Sequence, residues 1–304
     1  IEECIQDDII TVGLRNGVSG ETTCDHEKLL TVGIRGYMEE CQKNIDNTVS
    51  SGKEDQEKID YWTACIIQCE GLITYAHRMS EEARRQAAVC RDEKRKKELL
   101  TIAENCMVVP ENPPQTFQQA LQMVWFAHVY FQIEVCTTAC GFGRFDQYMW
   151  PYYKKDVIDE QNITQEEALE MLECFYLKAC EVYEVRDKWY ATSFAGYPML
   201  EILVVGGQTP DGKDATNDLS YLCLEAANQL KTTQPVMAVR TWEGTPEALF
   251  RKGCQMIQEG QANPVFFNDY AAMKMALGKG CTMEEARDWT IVGCIQPGPG
   301  GGAT

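Results

Sequence analysis

Apolar residues recur at helical spacing over residues 61–90, and the run 91–98 that follows is almost wholly charged. That pattern predicts long helices with one packed face and one solvated face. Prolines between 110 and 114 end the pattern, and Thr116 followed by Gln119 has the spacing of a capping box. A second long apolar helix is therefore expected to run from there to about Val135, with Trp125, Phe126, Tyr130 and Phe131 as a core stripe. Further start signals follow. Thr164 with Glu167 predicts a helix reaching about Glu184, Thr282 with Glu285 a short one, and Thr245-Pro246 an N-cap followed by proline at the first helical position.

Between these helices lie short apolar runs bounded by turn residues, at 201–205, 235–240, 264–267 and 289–295. Each reads as a buried strand. Strands that alternate with helices of ten or more residues imply parallel β/α units, so the expected class is α/β, a barrel or doubly wound sheet behind a helical first half. No internal repeat or long linker divides the chain.

Composition narrows the possible roles. With 304 residues and 44% hydrophobic content, the chain can bury a sizeable core. A formal net charge of −18 disfavours nucleic acid and anionic membranes, both of which are held mainly by Lys and Arg. No apolar run reaches the ~18 to 20 residues of a membrane helix. The 15 cysteines are odd in number and contain no C-x-x-C pair, which fits a reduced cytoplasm, with most of them serving as small packing residues. The three histidines have no metal-ligand spacing, and no metal site is expected. A start at Ile1 and a glycine-rich end at 297–304 read as cuts at both ends of a longer chain.

Candidate chemistry gathers at the last strand. Residues 291–297 (IVGCIQP) run into a glycine-rich loop, and functional groups in parallel α/β folds collect at strand C-terminal ends. Cys294 therefore stands where a nucleophile or a radical would, or else is a small buried residue before a turn. No histidine lies near it in sequence to activate a thiolate, whereas hydrogen-atom abstraction by sulfur needs no base. Arg144 and Asp146 are expected to form a structural ion pair. Asp211 and residues 214–217 are expected to supply turn and cap chemistry before a helix at Asp218.

Five blocks in order carry a family resemblance: 61–78 (YWTACIIQCEGLITYAHR), 113–134 (PPQTFQQALQMVWFAHVYFQIE), 143–151 (GRFDQYMWP), 206–222 (GGQTPDGKDATNDLSYL) and 293–297 (GCIQP). Together they resemble the pyruvate formate-lyase-like glycyl radical enzymes over nearly the whole chain. The resemblance implies a ten-stranded β/α barrel around a finger loop bearing Cys294 as the thiyl residue. Residues 1–304 would be a partial catalytic domain: the helical first half and the first barrel strands, without the C-terminal glycyl radical domain. It also implies a glycyl radical outside this chain, installed by an S-adenosylmethionine radical activase, in an anaerobe. Homodimerisation and small accessory subunits are further expectations of that kind, and the chain alone is expected to be inactive.

Within the family, the eliminating lyases have a glutamate two residues after the thiyl cysteine, where this chain has Gln296, an amide that is no base near neutrality. Their Gly-His-Thr stretch corresponds to Gly20-Glu21-Thr22, and their polar substrate positions to Thr138 and Ala139. Phe194, Met199 and Leu200 would line the site with apolar surface. These features are similar to the fumarate-adding branch, the alkane-acting (1-methylalkyl)succinate synthase type above all. That likeness implies hydrocarbon and fumarate as substrates. Gly293 would leave room beside the sulfur, the backbone N–H groups near Ile295 and the Gln296 amide would hold a fumarate carboxylate, and Glu21 would contact it as a neutral acid or orient an arginine. The alternatives are an eliminating lyase of a small polar substrate, with Glu21 as the replacement base, and an inactive structural paralogue.

Overall fold

The computed structural model describes residues 22–48, 52–135, 139–182, 192, 199–293, 295–298 and 300. The first half is helical, as the periodicity predicts: α1 (His26–Asn47), α2 (Lys53–Val89), α3 (Glu93–Val108) and α4 (Phe117–Val135). The charged run does not extend α2. Asp92 accepts the Arg95 N–H at 3.1 Å and caps a new helix, α3. At the head of α4, Thr116 Oγ1 accepts the Gln119 N–H at 3.2 Å, while the Gln119 amide oxygen turns to the N–H of Gln115 at 2.8 Å, so only one arm of the expected box forms. Asp156 takes a further α4 donor, the Phe117 N–H, at 2.7 Å.

Short helices α5 (Phe145–Tyr148) and α6 (Trp150–Tyr153) lead through a π-helical turn at Lys154–Asp159 to α7 (Gln165–Glu181). The capping box of Thr164 and Glu167 forms in full, at 3.1 and 2.8 Å. The helix ends at Glu181 rather than near 184, where Val182 takes an extended conformation.

Four parallel strands follow in spatial order: β1 (Gly143–Arg144), β2 (Ile202–Gly206), β3 (Val236–Thr241) and β4 (Val265–Asn268). Helices α8 (Asp218–Leu230) and α9 (Glu247–Gln258) connect β2 to β3 and β3 to β4, and α10 (Asp269–Gly278) and α11 (Met283–Arg287) follow β4. Such β/α alternation over a parallel sheet is the architecture expected of a barrel segment. Alternate side chains give the sheet two faces. Leu203, Val205, Met237 and Val239 join the large core built with α4, α7 and α8. Ile202, Val204 and Ala238 form a separate cluster with Trp289 and Ile291.

Three sequence expectations are corrected. The run 289–295 is not a further parallel strand: β5 (Thr290–Val292) turns at Gly293 and pairs antiparallel with β6 (Gln296–Gly298), making a hairpin that lies on the second face of the sheet. Its first limb is buried at 289–291 and only the returning limb is exposed at Ile295 and Gln296, so a short window reads the run as one fully buried strand. At α9, Pro246 itself is the cap, its carbonyl accepting from Leu249 N at 3.0 Å. Thr245 Oγ1 instead accepts the Trp242 N–H at 2.9 Å and closes the preceding turn. Arg144 and Asp146 are not bonded to each other. They lie two positions apart where β1 gives way to α5, and they turn to different partners: Arg144 to Asp288, and Asp146 to Gly206 N and the Ser220 hydroxyl of α8.

Candidate active site

The hairpin is held at its root by polar side chains from the C-terminal ends of the strands. Arg240, near the end of β3 and wholly buried, donates through Nη2 to the Arg287 carbonyl at 2.7 Å and through Nη1 to the Trp289 carbonyl at 2.8 Å. Asp269, the first residue of α10 and equally buried, accepts from Arg240 Nε at 2.7 Å and from the Trp289 indole N–H at 3.1 Å. The Arg240 guanidinium lies 4.6 Å from the Trp289 ring. Beside this group, Arg144 donates to Asp288 at 2.7 Å and to the Gln208 carbonyl at 2.7 Å, while the Gln208 amide donates to Asp269 at 3.2 Å. Burial, and then the Arg144 charge, pull the Arg240 pKa down to about 10, opposed by Asp269, so the side chain stays cationic at neutral pH.

From this root the chain runs back along the sheet. Trp289 is fixed at the late end of β3, whereas the Ile291 carbonyl lies against Gly141, just before β1, close to the start of β2 at Ile202. A Cβ placed on Gly141 would stand 3.0 Å from Ile291 O and 3.5 Å from Ile202 O, so a side chain here would crowd the finger. Gly141 also ties in the N-terminal segment, because its N–H donates to Thr22 O at 2.9 Å and its carbonyl accepts from Thr23 Oγ1 at 3.0 Å. Three distant stretches of sequence thus meet at one backbone position. The finger is rooted at the strand C-terminal ends, where functional groups were expected, and points away from them towards the strand starts.

Of the site residues read from the sequence, Ala139 and Met199 are buried and adjacent, the Ala139 N–H donating to Met199 O at 2.9 Å. Leu200 is half-buried, and both it and Ala139 have positive φ, 59° and 60°. Gly293 is buried, while Ile295 and Gln296 are exposed on the far limb of the hairpin. Cys294, Glu21, Thr138 and Phe194 lie outside the described residues, although the neighbours of the first two, Gly293 and Thr22, belong to the finger and to the Gly141 junction. The Ile295 N–H donates to Gln296 Oε1 at 3.1 Å.

Sequence reasoning missed the root residues Arg240, Asp269, Gln208 and Trp289, and it missed Gly141. A signal existed for Arg240: a cation near the end of an otherwise apolar strand run is costly unless a specific partner awaits it.

Two buried histidines stand behind β1. His128 Nε2 and Glu201 Oε1 are 2.7 Å apart, both buried, and Glu201 turns to the helical side of the sheet, away from the finger. His26 is 3% exposed, its ring lies 4.9 Å from that of Tyr148 at a tilt of 34°, and neither ring nitrogen makes a well-formed hydrogen bond. Burial, with a smaller contribution from His128, pulls its pKa down to about 3, which the nearby Gly141 backbone offsets only in part. Among the described residues, no cluster of His, Cys, Asp and Glu is arranged to hold a metal ion, and no helix is long and apolar enough to cross a membrane.

A finger hairpin folded back over a parallel β/α sheet agrees with a match of the pyruvate formate lyase-like family across residues 1–304. The chain belongs to this family. An isethionate sulfite-lyase of Oleidesulfovibrio alaskensis is 37% identical over 275 residues, 90% of this chain and 33% of that protein. A solved structure describing 1,2-propanediol dehydration in Roseburia inulinivorans superposes with a TM-score of 0.90 at 36% identity, covering 93% of this chain and 35% of the other. A glycyl radical enzyme from Archaeoglobus fulgidus gives a TM-score of 0.86 at 33% identity, covering 92% and 36%. The chain thus spans about a third of the length of these pyruvate formate lyase-like relatives.

These relatives overturn the expectation of hydrocarbon addition to fumarate. The proteins with which the pyruvate formate lyase-like chain shares a third or more of its residues include a sulfite-lyase and dehydratases. The earlier reading rested on a few positions, Gln296, Thr138, Ala139 and Glu21 among them. Of these, Gln296 has its amide oxygen engaged by its own turn.

Proposed function

We propose that this pyruvate formate lyase-like protein, in the length its relatives have, is a glycyl radical lyase that eliminates a hydroxyl or sulfonate group from a small polar substrate. The observation that carries this reading is the extended similarity to lyases and dehydratases of such substrates, at 35–37% identity over about nine-tenths of the chain. The finger supports it, since it places Gly293, the residue before Cys294, in a buried position beyond the Gly141 junction.

A glycyl radical elsewhere in the protein would supply the hydrogen-atom acceptor that turns the Cys294 thiol into a thiyl, and an S-adenosylmethionine radical activase would install it. Cys294 then takes a hydrogen atom from the substrate carbon beside the one bearing the leaving group. The leaving group departs, and the product radical recovers a hydrogen atom from Cys294. The reaction is redox-neutral, and in a dehydration the proton lost from the remaining hydroxyl leaves with hydroxide as water. A proton carrier is needed, and Gln296 cannot be one. Glu21 is the proposed carrier, because the next residue, Thr22, is bonded to Gly141 beside the finger.

The test is turnover by the full-length protein, activated without oxygen, on isethionate, 3-sulfopropanediol, 1,2-propanediol, glycerol and hydroxyproline. Release of sulfite, or of a carbonyl or (from hydroxyproline) imine product with water, that is abolished by Cys294→Ala is expected. A protein that carries a radical signal yet eliminates from none of these would overturn the assignment.

A further inference from the structure

The polar group at the finger root is more elaborate than stability requires. Arg240 and Asp269 are both without solvent exposure, and a buried ion pair is often no more stabilising than well-packed apolar residues in the same space. Two of the four hydrogen bonds of Arg240 go to backbone carbonyls of the finger root, at 287 and 289. The sheet also makes room for the guanidinium, since a Cβ on Gly207 would stand 2.5 Å from Arg240 Nε. On the finger side, the Trp289 indole binds Asp269 while its ring lies against Arg240. One residue of the finger is therefore held through its carbonyl, its N–H donor and its ring face by two side chains of the barrel.

We infer that Arg240, Asp269 and Trp289 are positioning residues for the Cys294 step: their contacts fix the orientation in which the hairpin leaves the sheet, and through it the place of the reacting sulfur. The inference rests on the reading of Cys294 as the thiyl residue. None of the three is proposed to touch substrate. The alternative is that the group merely contributes to global stability, and the two differ in what they change. A positioning role affects the chemical step and finger mobility, while radical content, substrate binding and the rest of the sheet stay as they are.

Two variants of the full-length protein separate these roles. Trp289→Phe keeps a ring over the guanidinium and removes the indole donor, and Arg240→Lys keeps the charge and loses the fork that reaches both carbonyls. With either, kcat is expected to fall roughly 10- to 100-fold. KM and the glycyl radical content measured by electron spin resonance are expected to stay within about threefold of the parent, because neither is set at the finger root. Hydrogen–deuterium exchange at residues 290–298 is expected to speed up roughly tenfold, while that of β2 and β3 stays unchanged, as local opening would produce. Should Arg240→Lys fail to fold, Trp289→Phe decides alone. Unchanged kcat and finger exchange in Trp289→Phe would overturn the inference, as would a loss of radical content or faster exchange across the whole sheet in proportion to the lost rate. If the parent protein eliminates from none of the offered substrates, the exchange measurement still reads the clamp, so failure of the functional proposal is distinguishable from failure of this one.

Discussion

Gly141 and the carbonyl of Ile291 approach closely across 150 residues of sequence, and a methyl group on the α-carbon would stand 3.0 Å from that oxygen, so the finger would have to give by a few tenths of an ångström. Gly141→Ala should therefore shift the finger slightly on the sheet while leaving the outer helices alone. Overpacking of this kind costs about 1 to 3 kcal/mol, and the shift at the finger should reduce turnover roughly 10- to 100-fold. Activity and urea unfolding of the same preparation check both figures, and full activity in a normally stable variant would show that the finger is seated elsewhere.

Asp146 belongs to stability rather than to the site. It is fully buried, accepts the Gly206 N–H at 2.8 Å and the Ser220 hydroxyl, and joins β2 to α8. Burial raises its pKa, and the Ser220, Gln147 and Gly206 donors, together with the Arg144 charge, counter that only in part. Asp146→Asn replaces one acceptor oxygen by a donor facing other donors, and a loss of about 1 to 3 kcal/mol in unfolding free energy is expected.

His26 makes the fold acid-sensitive. Unfolded, it titrates near 6.5, and folded near 3, so between those values the unfolded chain binds more protons. Its contribution is intact above about pH 6.5 and is lost progressively as pH falls towards 3, with a slope approaching about 1.4 kcal/mol per pH unit. In His26→Leu that slope disappears. Denaturant unfolding of parent and variant at pH 4.5, 5.5 and 7 should show stabilities that differ increasingly in favour of the variant towards acid, and parallel curves would refute the assignment.

Thr164→Ala removes one arm of the capping box on α7 and should cost about 1 kcal/mol. Thermal unfolding measures it, and Thr164→Ser should restore most of the loss.

Local chemistry made much of the fold legible. The Thr164–Glu167 and Thr282–Glu285 boxes and the strand cores at 202–205, 236–240 and 265–267 appear where periodicity and capping residues put them. What the sequence hid depends on long-range pairing. The run 289–295 has the composition of a buried strand, and only its partner β6 and the sheet beneath it show that it is one limb of a hairpin. Arg144 and Asp146 look like a pair because they are close and opposite in sign, yet a change of backbone direction between them sends each to a partner more than 55 residues away. The place of Cys294 before a glycine-rich loop leaves a packing role open, and it is the family resemblance that points to it as the reacting residue. The choice between adding and eliminating chemistry is not legible in the sequence, because one amide in place of a carboxylate says which group is absent and not which substitutes for it.

The polar fastening of the hairpin lies at Trp289, with Ile291 seated beyond it at Gly141, and Gly293 lies four residues after Trp289. At ~3.3 Å per residue the arm is about 13 Å long, so a tilt of only ~5° at its hinge would swing the far end by about 1 Å. Under the role proposed for Cys294, a displacement of that size is enough to spoil atom transfer between sulfur and carbon. The architecture acts as a lever, and evolution of new substrate preferences in such a protein would be constrained as much at the fulcrum as in the pocket.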